Sequence, residues 1–214
     1  AATAVAAKHL ALADSKTVTV CGCGNQGRVS LRALTGVLDL ERAYVWDLDY
    51  AAAERLAADL GGELAIEIIP VRDFAVAVGR SQVCVTCTPA RHSFLQKSHV
   101  RPGTFIAAVG ADSDDKQELE PALLAGSKVV VDIMEQCAAI GELHHALAEG
   151  LMDTHDVHAE LGDVIAGKRP GRIAHDDVIV FDSTGTALQD VAAAVIVYDR
   201  AIRSGRGTML DLSA

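Results

Sequence analysis

The chain has 214 residues, of which 50% are hydrophobic and 22% charged, a composition that builds a folded core and excludes a largely disordered chain. Such a length suits one sizeable domain. The formal net charge of -10 argues against a nucleic-acid partner, because that kind of binding draws most of its affinity from cationic contacts to phosphate.

In chain order, the first expected element is a helix over Ala1 to Ala13, which opens without a capping residue or lead-in. Ala1–Leu12 is too short to span a bilayer and carries neither a basic leader nor a cleavage signal, so neither export nor a membrane partner is expected. Beyond it, apolar runs of four to six residues alternate with longer Ala/Leu-rich stretches at helical spacing, the pattern of a parallel sheet covered by helices. Strands are expected near Thr17–Cys21, Ala43–Trp46, Ile66–Ile69, Gln82–Thr86, Thr104–Val109, Lys128–Asp132 and Val178–Phe181. Helices are expected near Gln26–Leu38, Tyr50–Leu60, Val71–Val78, Glu118–Ala125, Ile140–Glu149 and Thr186–Ser204. Gly61-Gly62, Arg101-Pro102-Gly103 and Lys168-Arg169-Pro170-Gly171 punctuate between elements, not between unlike halves. Residues 1–214 therefore read as one α/β domain.

The turn after the first strand carries the most chemistry. Gly22-Cys23-Gly24-Asn25-Gln26-Gly27 is Gly-x-Gly-x-x-Gly where a helix begins. Gly22 would allow the tight turn, Gly24 the approach of a pyrophosphate, and Gly27 close helix–strand packing, while the helix start offers unpaired N–H groups to the phosphate charge. Asp47 ends the next strand, 20 residues after Gly27 (47 − 27), where a carboxylate can accept both ribose hydroxyls of an adenosine and repel a 2′-phosphate. Together these features predict a doubly wound, mainly parallel sheet of the Rossmann type that binds NAD in preference to NADP. Asp49 adds to the repulsion, or is simply a solvated residue at a helix start.

Two other sets of residues are weighed against metal or redox chemistry. Cys21, Cys23, Cys84, Cys87 and Cys137 are odd in number and lie mostly in apolar runs, as reduced, buried thiols of a cytoplasmic protein do. Cys84 and Cys87 have Cys-x-x-Cys spacing, but on a predicted central strand, so no metal site is expected there. His144 and His145 are helix neighbours pointing about 100° apart and cannot share one metal. His155 and His158 fall in a connection and read as surface histidines.

From Gly22 onward the chain resembles the ornithine cyclodeaminase and mu-crystallin family, which includes an archaeal-type alanine dehydrogenase. The matching segments include Gly24-Asn25-Gln26, Val83-Cys84-Val85-Thr86, Ala108-Val109-Gly110-Ala111-Asp112, Glu118-Leu119, Gly141-Glu142, Gly162-Asp163-Val164-Ile165-Ala166-Gly167 and Phe181-Asp182-Ser183-Thr184-Gly185-Thr186. The resemblance implies Asn25 and Gln26 at the pyrophosphate, Asp47 at the adenosine ribose, and Thr86 beside the cofactor. It further implies Val109, Gly110, Ala111, Asp112, Lys116 and Ser183 around the nicotinamide half, with Thr184 near the substrate. Asp112 would be the acid–base residue, since a carboxylate just past a parallel strand faces the cofactor cleft. As plain residues, Asp112, Ser183 and Thr184 could equally be helix caps, and Lys116 an exposed lysine.

The implied activity is NAD-dependent chemistry at the α-carbon of an L-amino acid, through an imine that is hydrolysed or cyclised with loss of ammonia. The alternative is a catalytically silent protein that binds cofactor or another small ligand. Family members carry an amino-terminal region that makes a homodimer and supplies a lysine and arginine for the substrate carboxylate. No such region is expected within these residues.

Overall fold

The structure, a computed structural model, describes residues 2–208 and Leu210. Among them the strands are β1 (Thr17–Cys21), β2 (Arg42–Trp46), β3 (Glu67–Pro70), β4 (Val83–Thr86), β5 (Phe105–Ala108), β6 (Lys128–Val131), β7 (Ala159–Glu160) and β8 (Ile179–Asp182). The α-helices are α1 (Ala2–Leu10), α2 (Asn25–Thr35), α3 (Tyr50–Gly61), α4 (Phe74–Arg80), α5 (Pro121–Ala125), α6 (Met134–Ile140), α7 (Glu142–Ala148), α8 (Leu161–Ile165) and α9 (Ala187–Ser204).

The strands form a single sheet in the order β3-β2-β1-β4-β5-β8-β6-β7, with every pair parallel. Chain order reverses between β1 and β4, the switch point at which open parallel sheets leave a crevice beyond their carboxyl ends. Successive side chains face opposite sides of the sheet. Val18, Val20, Phe105, Ala107, Ile179 and Phe181 enter one buried cluster with Leu31, Leu34, Leu56 and Leu60. Cys21, Cys84, Ile106, Ala108 and Val180 enter the other with Leu119, Leu123, Leu124 and Leu143. Helices cover both faces, so the strands read as continuous apolar runs instead of alternating ones.

All seven expected strands are present to within a residue or two, the usual uncertainty of element ends. The helices differ more. The expected helix from Glu118 begins instead at Pro121, because Phe94 and Leu95 both donate their N–H to the Glu118 carbonyl, at 2.9 and 3.0 Å, and Leu119 bridges Leu95. Proline at the first helical position then fixes the start. The expected helix at Val71 starts at Phe74, where the Asp73 carboxylate accepts from Val76 N at 3.1 Å. The expected helix Ile140–Glu149 is α7, which starts two residues later at Glu142, and α6 before it was not expected. Gly141 caps both helices with φ -88° and ψ -175°, and a Cβ there would lie 2.5 Å from the Asp182 carboxylate. β7 and α8 carry too few residues for a periodic signal. α1 is described from Ala2, and the expected first residue of that helix, Ala1, lies outside the described residues.

The chain divides into two compact units, the first ending at Thr184 and the second beginning at Gly185. The second contains α9, closed by Gly205 in the left-handed region with φ 63°. Leu188, Val191, Val195, Tyr198 and Ile202 recur along it at helical spacing and are exposed. No helix of the described residues is long and apolar enough to cross a membrane.

Candidate functional site

β1, β2 and β4 end level with one another, since Cys21 pairs with Trp46 on one side and Thr86 on the other. Three turns therefore leave the sheet at one height. Gly22 has φ 107°, a conformation other residues rarely adopt, and donates its N–H to Trp46 O at 2.8 Å. A Cβ on Gly22 would meet the Cys87 carbonyl oxygen at 2.6 Å, and one on Gly27 would meet the Gly22 carbonyl oxygen at 2.0 Å. Both glycines hold the turn together from within. Gly24 is different: a Cβ there meets nothing within 4 Å, so its exposed backbone can be approached from outside. No side chain caps α2 and no acid lies in its first turn, which leaves the first N–H groups of Asn25, Gln26 and Gly27 without the usual partners.

Asp47 stands beside this turn. Its carboxylate accepts from Cys23 N at 2.8 Å and from Asp49 N at 3.0 Å. Asp49 caps α3, accepting from Ala51 N. Burial, with help from the Asp47 charge, pushes the Cys23 thiol up to about 12, so Cys23 is uncharged at neutral pH. A cleft of about 580 Å³ opens between Gly22 and Gly24, the Trp46–Leu48 strand end, and the Cys87–Ala90 loop, with His92 and Phe94 on its far wall. Leu48, 92% exposed, contributes apolar surface at the rim. Behind the wall, Trp46 packs on Phe74 and Phe94 with ring centres 4.9 and 5.6 Å away.

A second group gathers at the carboxyl ends of β5, β6 and β8 and does not line that cleft. Val109 donates its N–H to Thr86 O at 2.9 Å, and Thr86 itself is fully buried. Gly110 and the buried Ala111 lead to Asp112, whose exposed carboxylate pairs with Lys116 Nζ at 2.5 Å. Ser183 donates its N–H to Ala108 O and its hydroxyl to Asp132 Oδ2 at 3.0 Å, and Thr184 Oγ1 lies 3.4 Å from Asp132 Oδ1. Asp112 caps no helix: Lys116 N bonds back to Ser113 O in a turn, and the next α-helix starts at Pro121.

Sequence reasoning assigned no role to the acids beneath this group. Glu118, Glu142 and Asp182 are buried, and each holds the next segment by its backbone. Asp182 accepts from Leu143 N at 2.9 Å in the first turn of α7. Glu142 accepts from Glu118 N and Leu119 N at 2.7 and 3.0 Å. Glu118 accepts from Thr88 N, Thr88 Oγ1 and Gly110 N at 2.6, 2.7 and 3.1 Å. Burial raises all three carboxyls: Asp182 to about 7, Glu118 above its usual range, and Glu142 well above it with the Glu118 and Asp182 charges adding. Asp132, missed as well, orders Ser183 and Thr184. The available signal was an acid directly after an apolar run, as in Ile179-Val180-Phe181-Asp182. Cys84 is buried in β4, and Cys87 Sγ donates to the Gly22 and Cys21 carbonyls.

An all-parallel sheet with a glycine turn, an open helix start and an acid at the switch point defines a Rossmann-type dinucleotide-binding fold. The chain belongs to the ornithine cyclodeaminase/mu-crystallin family, whose pattern matches residues 1–205. It is 37% identical to the alanine dehydrogenase of Archaeoglobus fulgidus over 213 residues, 98% of this chain and 64% of that one. Among solved structures, the Thermococcus litoralis Δ1-pyrroline-2-carboxylate reductase in complex with NADH and L-proline superposes with a TM-score of 0.95 at 33% identity, over 98% of this chain and 65% of that one. An archaeal alanine dehydrogenase dimer with bound NAD superposes with a TM-score of 0.90 at 35% identity, over 99% and 65%. The chain thus spans about 64% of the length of the curated relatives it matches.

Proposed function

We propose that residues 1–214 are the cofactor-binding part of an NAD-dependent enzyme acting at the α-carbon of an L-amino acid or its imine, as a cytoplasmic homodimer whose substrate carboxylate is gripped from outside these residues. The observation that carries this reading is the open backbone of Gly24 at an uncapped helix start beside Asp47. That arrangement receives a pyrophosphate on the N–H groups of Asn25, Gln26 and Gly27 and a ribose on the Asp47 carboxylate. The apolar rim at Leu48 and the wall at Ala90 and Phe94 suit the flat face of an adenine.

Bound there, NAD would supply the site that accepts a hydride from the α-carbon or returns one to it. Asp112 takes the proton from the substrate amine or activates a water, and Lys116 balances its charge. Ser183 and Thr184, ordered by Asp132, orient the groups that meet at this end of the sheet. Water attack on the imine would give dehydrogenase chemistry, and attack by a side-chain amine would give cyclodeaminase chemistry. A second reading, a silent cofactor-binding protein, draws on the Lys116 contact, which occupies one oxygen of Asp112.

The experiment incubates full-length protein with NAD and a panel of L-amino acids, following NADH and ammonia separately. NADH with ammonia indicates a dehydrogenase, and ammonia without NADH a cyclodeaminase. Asp112→Asn should lower turnover by roughly 10²–10⁴ with little change in NAD affinity. NAD binding with no turnover on any amino or imino acid would favour the silent reading, and near-normal turnover in Asp112→Asn would remove the acid–base role.

A further inference from the structure

The Asp112 carboxylate is held by no packing of its own: its side chain is 61% exposed and its ion pair is with Lys116. Its position is therefore set by the backbone of the loop from Gly110 to Leu119. All three polar groups of Lys116 are engaged in that loop's geometry. The ammonium pairs with Asp112, the N–H donates to Ser113 O at 3.1 Å, and the carbonyl oxygen lies 2.7 Å from His145 Nε2. A carbonyl can only accept, so His145 donates from Nε2.

His145 lies on α7, one turn after Glu142, and residues three apart share a helix face. From that face Glu142 holds the backbone at Glu118 and Leu119 while His145 holds it at Lys116. Gln117, between them, donates its N–H to Ala90 O at 2.9 Å, which ties the loop on its other side.

We infer that His145 is a positioning residue, fixing the Lys116 carbonyl and through it the place of Asp112 at the reacting end of the sheet. The inference rests on the reading of Asp112 as the acid–base residue. Because His145 is only partly buried, its removal takes away one anchor and leaves the core intact. A displacement of the acid by an ångström is enough to cost up to roughly 10²-fold in rate.

The test compares His145→Leu and His145→Gln with the parent in full-length protein. Gln can present an amide N–H near the position of Nε2, and Leu cannot. For Leu, hydrogen exchange over residues 111–117 should accelerate and kcat should fall by about tenfold or more, with KM and NAD affinity within about twofold. Gln should restore most of both. Unchanged exchange in His145→Leu would overturn the anchoring. Faster exchange with normal kcat, in a protein that Asp112→Asn does impair, would overturn the link to Asp112. Normal turnover in Asp112→Asn would instead sink the acid–base reading, and the exchange data would still decide whether His145 holds the loop.

Discussion

Asp182 offers a test of the buried acids that needs no substrate. Its carboxyl, at the end of β8 beneath the glycine joint of α6 and α7, is raised by burial from an ordinary 3.8 to about 7. The folded chain then holds this proton more tightly than the unfolded chain, so the group favours folding in acid. Its contribution is complete below about pH 4 and is lost as pH rises through about 7. With each tenfold change in proton affinity worth about 1.4 kcal/mol, the whole contribution is ~4 kcal/mol, of which about 3 kcal/mol disappears between pH 5 and 8. That is a large part of the ~5–15 kcal/mol that separates folded from unfolded domains. Asp182→Asn keeps an oxygen for Leu143 N but cannot ionise. Urea unfolding of parent and variant at several values from pH 5 to 8 should show the parent losing about 3 kcal/mol more than Asn across that range. Glu118 and Glu142 remain in both proteins and largely cancel, apart from the relief that loss of the Asp182 charge gives Glu142. Parallel stability curves, constant within ~0.5 kcal/mol, would refute the reasoning.

Gly27→Ala should destabilise the fold by roughly 1–3 kcal/mol or more, because its methyl group is driven onto the Gly22 carbonyl; thermal melting checks this. Gly24→Val, in open space, should leave the melting point almost unchanged yet abolish NAD binding by calorimetry. Asp47→Ala should narrow the preference for NAD over NADP, read as the ratio of the two dissociation constants, and an equal affinity for both cofactors in the parent would contradict the assignment. Arg172 donates from Nε to Leu10 O at 3.0 Å, joining α1 to the approach to β8, and also reaches the carbonyls of His175 and Asp177. Arg172→Met should cost about 2–3 kcal/mol in chemical denaturation, since it strips a charged donor from part-buried carbonyls.

The sheet and the glycine turn were legible because both impose strong local rules. A strand buried on two faces must be apolar throughout, and a pyrophosphate-binding turn needs glycines at fixed positions. The same logic failed where the determinant is distant in sequence. Gly141 is itself a local sign of a helix end, but nothing near it announces that the position has no room for a side chain, because the obstacle is the Asp182 carboxylate 41 positions later (182 − 141). Nothing near Glu118 announces that its backbone will serve Phe94, Leu95 and Glu142 in place of a helix. The histidine pair on α7 reads from sequence only as neighbouring helix positions that point apart. Its bond to Lys116 could not be foreseen, because a backbone carbonyl leaves no signature in sequence.

The place of β8 in the sheet also sets the order in which the molecule can be assembled. β3, β2, β1, β4 and β5 can pair as soon as the chain has been made through Ala108, and β6 with β7 through Glu160, but β8 lies between these two blocks. Until Ile179–Asp182 emerges from the ribosome, the inner edge of β5 and that of β6 both stand open, each with a row of unpaired backbone groups ready for a wrong strand. The joining strand also carries the acid that holds the first turn of α7, so that anchor forms only once the sheet closes, a late step made by contacts between residues far apart in sequence and slow for that reason. A nascent chain stalled before residue 179 would be the form most in need of a chaperone.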